Sequence, residues 1–117
     1  MDSLTEGQLQ RLFPPLVAKL IAFAYAQGYE LTFGEAWRST ATALLDAQQG
    51  KGIANSLHIQ RLAIDLNLFQ DGTYLTDPEA YRPLGEFWKT LHPLARWGGD
   101  FTTVDADHFS LAFGGRA

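Results

Sequence analysis

The chain contains no cysteine, which excludes both a disulfide framework and a thiolate metal site. Any metal would have to be held by imidazole and carboxylate. It also lacks an apolar run of about 20 residues, so no membrane-spanning helix is expected. The opening residues Met1-Asp2-Ser3-Leu4-Thr5-Glu6 lack the basic start and apolar core of a signal peptide. Synthesis as a cytoplasmic protein without membrane insertion is therefore expected. Positive charge is scarce as well: nine Lys and Arg stand against thirteen Asp and Glu, for a net charge of −4. That balance disfavours nucleic acid as a partner, because such binding rests on cations at phosphates. With 46% hydrophobic and only 19% charged residues the composition is globular, not disordered, and one domain spanning residues 1–117 is expected.

Along the chain, Ser3 and Glu6 read as a capping box that opens a short helix, which Pro14-Pro15 should interrupt before a second one begins. Gly28 supplies a stop, and Tyr29 to Trp37 alternates as a strand despite Gly34. Ser39 or Thr40 caps a helix with Leu44 turned inward, ending before Gly50. A strand follows to about Phe69, and Asp71-Gly72 marks a hairpin returning through Tyr74-Leu75. Asp77-Pro78 opens a further helix carrying Tyr81, Leu84, Phe87, Trp88 and Leu91. Trp97 to Phe101 reads as a turn-rich connector, and His108 to Phe113 as the last strand. Helices and strands in mixed order predict an α+β fold with a small antiparallel sheet, helices packed on one of its faces.

One stretch breaks its own pattern. Leu62, Ile64, Leu66 and Leu68 share one side of a strand, and Asp65 interrupts the other. A carboxylate amid so much Leu and Ile needs a partner. The last strand is divided the same way, with Phe109 and Leu111 on one face and His108 and Ser110 on the other. If both apolar faces meet the helices, Asp65 and His108 emerge together on the opposite face. His58 lies seven residues before Asp65, an odd offset, so the chain must bend near Ile59 to Arg61 to bring it in. Two imidazoles and one carboxylate with a fourth position open make the donor set of a catalytic zinc. Asp105, in the turn before His108, is placed to act as general base, with Asp107 its competitor.

Plain alternatives stand beside each of these residues. A His and an Asp seven apart are most often surface polar groups. His92, next to Pro93, reads as a helix-end partner. Arg38 can simply pair with Glu35 or Asp46, and Trp88 and Trp97 can be plain core.

Four motifs in order nevertheless follow one family pattern: Ser56-Leu57-His58, Leu62-Ala63-Ile64-Asp65, Trp97-Gly98-Gly99-Asp100-Phe101 and Asp105-x-x-His108-Phe109, and Trp37-Arg38-Ser39 upstream also fits it. The chain resembles the zinc D-alanyl-D-alanine carboxypeptidases and the related phage L-alanyl-D-glutamate endolysins. The resemblance implies the fold shared with the hedgehog signalling domain, with the zinc site on the sheet face away from the helices. It implies His58, Asp65 and His108 as zinc ligands, Asp105 as catalytic acid/base, Arg38 as oxyanion partner and Ser56 as a pocket-lining residue. A peptidoglycan stem peptide is the implied substrate, with the L-Ala-D-Glu bond favoured. The enzyme would be a monomer made in a host cytoplasm and released to the periplasmic wall, with a holin opening the membrane. The alternatives are a D-alanyl-D-alanine carboxypeptidase or dipeptidase of wall remodelling, and a zinc-stabilised binding module without catalysis.

Overall fold

The computed structural model describes residues 4–49 and 57–117. The first helix, α1 (Glu6–Ala26), opens on a capping box two residues later than expected. Thr5 accepts from the Gln8 backbone, and the Gln8 side chain answers to Thr5 N; Ser3 lies outside the described residues. The helix also runs unbroken through Pro14 and Pro15, contrary to expectation. Both prolines sit on the exposed side, where water can take up the carbonyls they leave without donors. Leu9, Phe13, Leu16, Val17, Leu20 and Ala24 form a continuous buried stripe. Packing of that stripe outweighs the local preference to break. Gly28, at φ +88°, ends the turn as read from the sequence.

Strand β1 (Glu30–Phe33) stops well short of Trp37, and α2 (Thr40–Gln48) follows, with Ser39 Oγ accepting from Thr42 N. Leu44 is not turned inward: it is exposed. The central strand β2 (Ala63–Gln70) turns at Asp71-Gly72, both at positive φ, into β3 (Thr73–Tyr74). Helix α3 (Pro78–Leu91) is capped by Asp77, whose carboxylate accepts from Glu79 N. Two short elements follow that the sequence reading took as connector: β4 (Ala95–Trp97) and a 3-10 turn at Gly98–Asp100. The last strand, β5 (His108–Leu111), is two residues shorter than expected.

The strands form one antiparallel sheet in the order β1-β2-β5-β4, with β3 paired to the far end of β2. Helices α1 and α3 cover one face. Trp88 meets Phe13 and Phe109 edge-on, and its indole N–H donates to the carbonyls of Arg96 and Ser110. Tyr81, buried from α3, accepts from Leu68 N and donates to Leu75 O, fastening the helix to the β2–β3 hairpin. Among the described residues no helix is long and apolar enough to cross a membrane.

Candidate metal centre

On the face away from the helices the register of β2 and β5 places Asp65 directly opposite His108. His58 arrives from outside the ladder. Residues 57–61 form a tight turn in which Leu62 N and Gln60 N both donate to Leu57 O, and Arg61 takes φ +59°. This is the bend that the odd spacing between His58 and Asp65 requires. The outcome is a convergence of three donors: His58 Nε2 lies 3.3 Å and His108 Nδ1 3.6 Å from the same oxygen, Asp65 Oδ1. Both imidazoles are buried. Their ring centroids lie 5.3 Å apart and their planes meet at 75°, so the rings flank the carboxylate without stacking.

These residues fit a zinc ion. Donors bound tetrahedrally at about 2.0–2.1 Å stand roughly 3.3 Å apart, close to the spacing found here. Asp65 Oδ1 is buried and accepts no hydrogen bond, a costly arrangement for a carboxylate oxygen that a cation would relieve. The charge pattern agrees. Burial pushes the Asp65 carboxyl up, but the facing imidazoles of His108 and His58 prevail and hold it at about 2. Asp65, Asp105 and Asp107 bring carboxylate oxygens within 4.8 Å of one another. Burial, together with Asp105 and Asp65, drives the Asp107 carboxyl up to about 7.

The loop that holds Asp105 is built by the Trp-Gly-Gly segment. Trp97 is buried as a core residue, and its indole N–H donates to Ala106 O at 2.7 Å. Its ring lies so close to Gly85 and Gly99 that a Cβ on either would come within 2.1 and 2.2 Å of it. Gly98 backs the Asp105–His108 turn: a Cβ there would meet Asp105 O at 1.9 Å, and Gly98 O accepts from Asp105 N. Asp105 itself is exposed, with Oδ2 3.8 Å from His108 Nδ1, so it faces both the donor cluster and open solvent.

Of the residues read from sequence, the structure brings together His58, Asp65, His108, Asp105 and Asp107. Arg38 reaches the same neighbourhood through Glu35, whose carboxylate accepts from Arg38 Nε at 2.8 Å. Ser56 lies outside the described residues. His92 stays apart, its Nδ1 accepting from Leu94 N beyond α3. Sequence reasoning passed over Gly34 and treated Glu35 only as an ordinary ion-pair partner. Gly34 N donates to Asp65 O, Asp65 N donates to Glu35 O, and a Cβ on Gly34 would meet Asp65 Cβ at 2.9 Å. An isolated glycine inside a strand pattern was the available signal of such a close approach. An apolar groove of about 420 Å³ between α1 and Phe33, Trp37 and Arg61 opens beside Ile64, on the helix side of the sheet, and is not part of the donor cluster.

Comparison with known proteins bears on the family and the fold. A family model described as D-alanyl-D-alanine carboxypeptidase matches residues 49–111. The fold resembles the L-Ala D-Glu endopeptidase ChiX of Serratia marcescens at a TM-score of 0.70 and 22% identity, over 97% of this chain and 90% of that one. It also resembles the vancomycin-resistance D,D-pentapeptidase VanY of a VanB-type cassette, solved with Zn(II), at a TM-score of 0.56 and 21% identity, over 85% and 70%. No curated protein sequence matches the chain.

Proposed function

The chain belongs to the D-alanyl-D-alanine carboxypeptidase family, and from that premise we propose a zinc peptidase that cuts the stem peptide of peptidoglycan at the L-Ala-D-Glu bond. The observation that carries the reading is the convergence of His58 Nε2, Asp65 Oδ1 and His108 Nδ1 beside the exposed carboxylate of Asp105. When bound there, zinc supplies Lewis acidity, polarising a carbonyl and making water a nucleophile near neutral pH. Asp105 accepts the proton of the attacking water and returns it to the leaving amine, a role open to a solvent-facing carboxylate on a braced turn. Arg38, its guanidinium held by Glu35, donates to the oxyanion that develops on the substrate. Ser56 lines the pocket in this reading.

The preference for L-Ala-D-Glu draws on the near end-to-end likeness to an endopeptidase of that specificity. The family description itself supports the second reading, removal of a terminal D-Ala. A silent binding module is disfavoured because it would need neither Asp105 nor Arg38. The proposal extends to a phage endolysin role, with the protein made in a host cytoplasm and reaching the wall through a holin lesion. The test is digestion of purified peptidoglycan with identification of the fragments, with and without chelator. A released peptide beginning at D-Glu supports the endopeptidase. Loss of terminal D-Ala alone moves the assignment to the carboxypeptidase, and digestion unaffected by chelator sinks both.

A further inference from the structure

We propose that Glu35 is a positioning residue of the metal centre: its carboxylate accepts a hydrogen bond from His58 Nδ1–H and so fixes that imidazole with Nε2 toward Asp65. The inference rests on reading His58, Asp65 and His108 as metal donors.

His58 Nε2 is the nitrogen that faces Asp65 Oδ1. A neutral imidazole carries one proton, so a donor role for Nε2 puts that proton on Nδ1. Glu35 Oε1 stands 3.7 Å from His58 Nδ1; a modest turn of the carboxylate brings it inside the hydrogen-bond limit of about 3.2 Å. Metal-bound imidazoles regularly donate their second N–H to a carboxylate, which fixes both tautomer and ring orientation.

The backbone around Glu35 makes this placement specific. Glu35 O accepts from Asp65 N at 2.8 Å, Gly34 N donates to Asp65 O at 2.8 Å, and Arg38 N donates to His58 O at 3.2 Å. The segment from Gly34 to Arg38 is thus stitched to both donor-bearing stretches, the turn of His58 and the strand of Asp65. Arg38 Nε donates to the same Oε1 at 2.8 Å, while the position of Glu35 itself is set by the backbone bonds to Asp65. A side chain serving only as an ion-pair partner for Arg38 would have no reason to face His58.

The experiment measures zinc affinity of the full chain by competition with a chromophoric chelator, together with the visible spectrum of the cobalt-loaded protein. Glu35→Ala is expected to weaken zinc about 10–100-fold and to alter the cobalt bands. Glu35→Gln, which keeps an oxygen acceptor for Nδ1–H, is expected to recover most of the affinity. Arg38→Met is expected to hold zinc within about threefold of the wild type, since its loss leaves the Glu35 oxygen in reach. Wild-type affinity in Glu35→Ala overturns the inference, and so does equal weakening in Arg38→Met, which would assign the effect to the ion pair. Should Glu35→Ala not fold, Glu35→Asp withdraws the carboxylate by one methylene and must show the same cobalt shift. A wild-type chain that binds no zinc fails the metal reading itself, a result distinct from any of these.

Discussion

Asp65 and His108 face each other across the antiparallel pair β2–β5, with His108 Nδ1 3.6 Å from Asp65 Oδ1. A slip of one residue in that pairing would turn one of the two side chains into the helix layer. The same ladder that buries Ile64 and Phe109 therefore sets the two candidate metal donors side by side.

His108→Ala should abolish stoichiometric zinc, lowering affinity by more than about 100-fold, beyond what loss of a supporting hydrogen bond costs. Metal content after dialysis against a weak chelator is the measurement. Full retention of zinc would remove His108 from the donor set.

Asp105→Asn should keep both the fold and the zinc while wall digestion slows about 10²–10⁴-fold, the range for losing a general acid/base. Asp107→Asn provides the contrast. If it slows digestion more than Asp105→Asn does, the base has been assigned to the wrong carboxylate.

The two shifted carboxyls predict opposite pH behaviour in the metal-free protein. Asp65 is lowered from 3.8 to about 2 by the facing imidazoles, against the pull of burial. Its ionised form stabilises the fold above about pH 4, and that contribution, about 2 kcal/mol, is lost as pH falls from 4 toward 2. Asp65→Asn should flatten this acid limb in a series of urea melts. Asp107 is raised to about 7 by burial and its acidic neighbours, so its carboxyl costs stability increasingly as pH rises from about 4 to 7, and that loss is complete above 7. Asp107→Asn should raise the melting temperature at pH 8 and leave it nearly unchanged below about pH 4. No difference between the two pH values would contradict the acidic crowding described above.

Gly99→Ala and Gly85→Ala each drive a methyl into the Trp97 ring. Overpacking of this kind costs about 1–3 kcal/mol, and calorimetry should show a lower melting temperature for both. Gly98→Ala adds a second effect, because its Cβ would collide with Asp105 O and crowd His108 Cβ. It should weaken zinc as well as stability, whereas Gly85→Ala should change stability alone.

Much of this was legible in the sequence because period-two alternation reports which face a side chain takes. Leu62, Ile64, Leu66 and Leu68 are buried, which put Asp65 on the other side. The matching partition after His108 supplied its partner. The parity of the His58 spacing even required the turn in which Arg61 takes a left-handed conformation, although nothing about an arginine announces that role. What stayed hidden depends on contacts distant in the chain. Pro14 and Pro15 read as a break until the buried stripe on either side of them is seen to hold α1 continuous. The three residues of β4 carry too little pattern to separate from the glycines that follow, and only pairing with β5 makes them a strand. Glu35 looked like an Arg38 partner because the backbone bond to Asp65 N cannot be read from either residue's type.

The crossing from β2 to β5 also has a consequence in time. The β2–β3 hairpin and the helices close over short stretches of chain, but β2 meets β5 only after α3 and β4 have been laid down between them. Non-local pairing of this kind forms slowly, so a chain still folding carries donors that have not yet met. Zinc then engages a structure already nearly native and should act mainly by holding it there. At a free concentration 100 times its dissociation constant it adds about 2.7 kcal/mol, nearly all of it as slower unfolding. Stopped-flow chevrons should show a depressed unfolding arm with zinc and an unmoved refolding arm; an accelerated refolding arm would mean that the metal gathers its donors early.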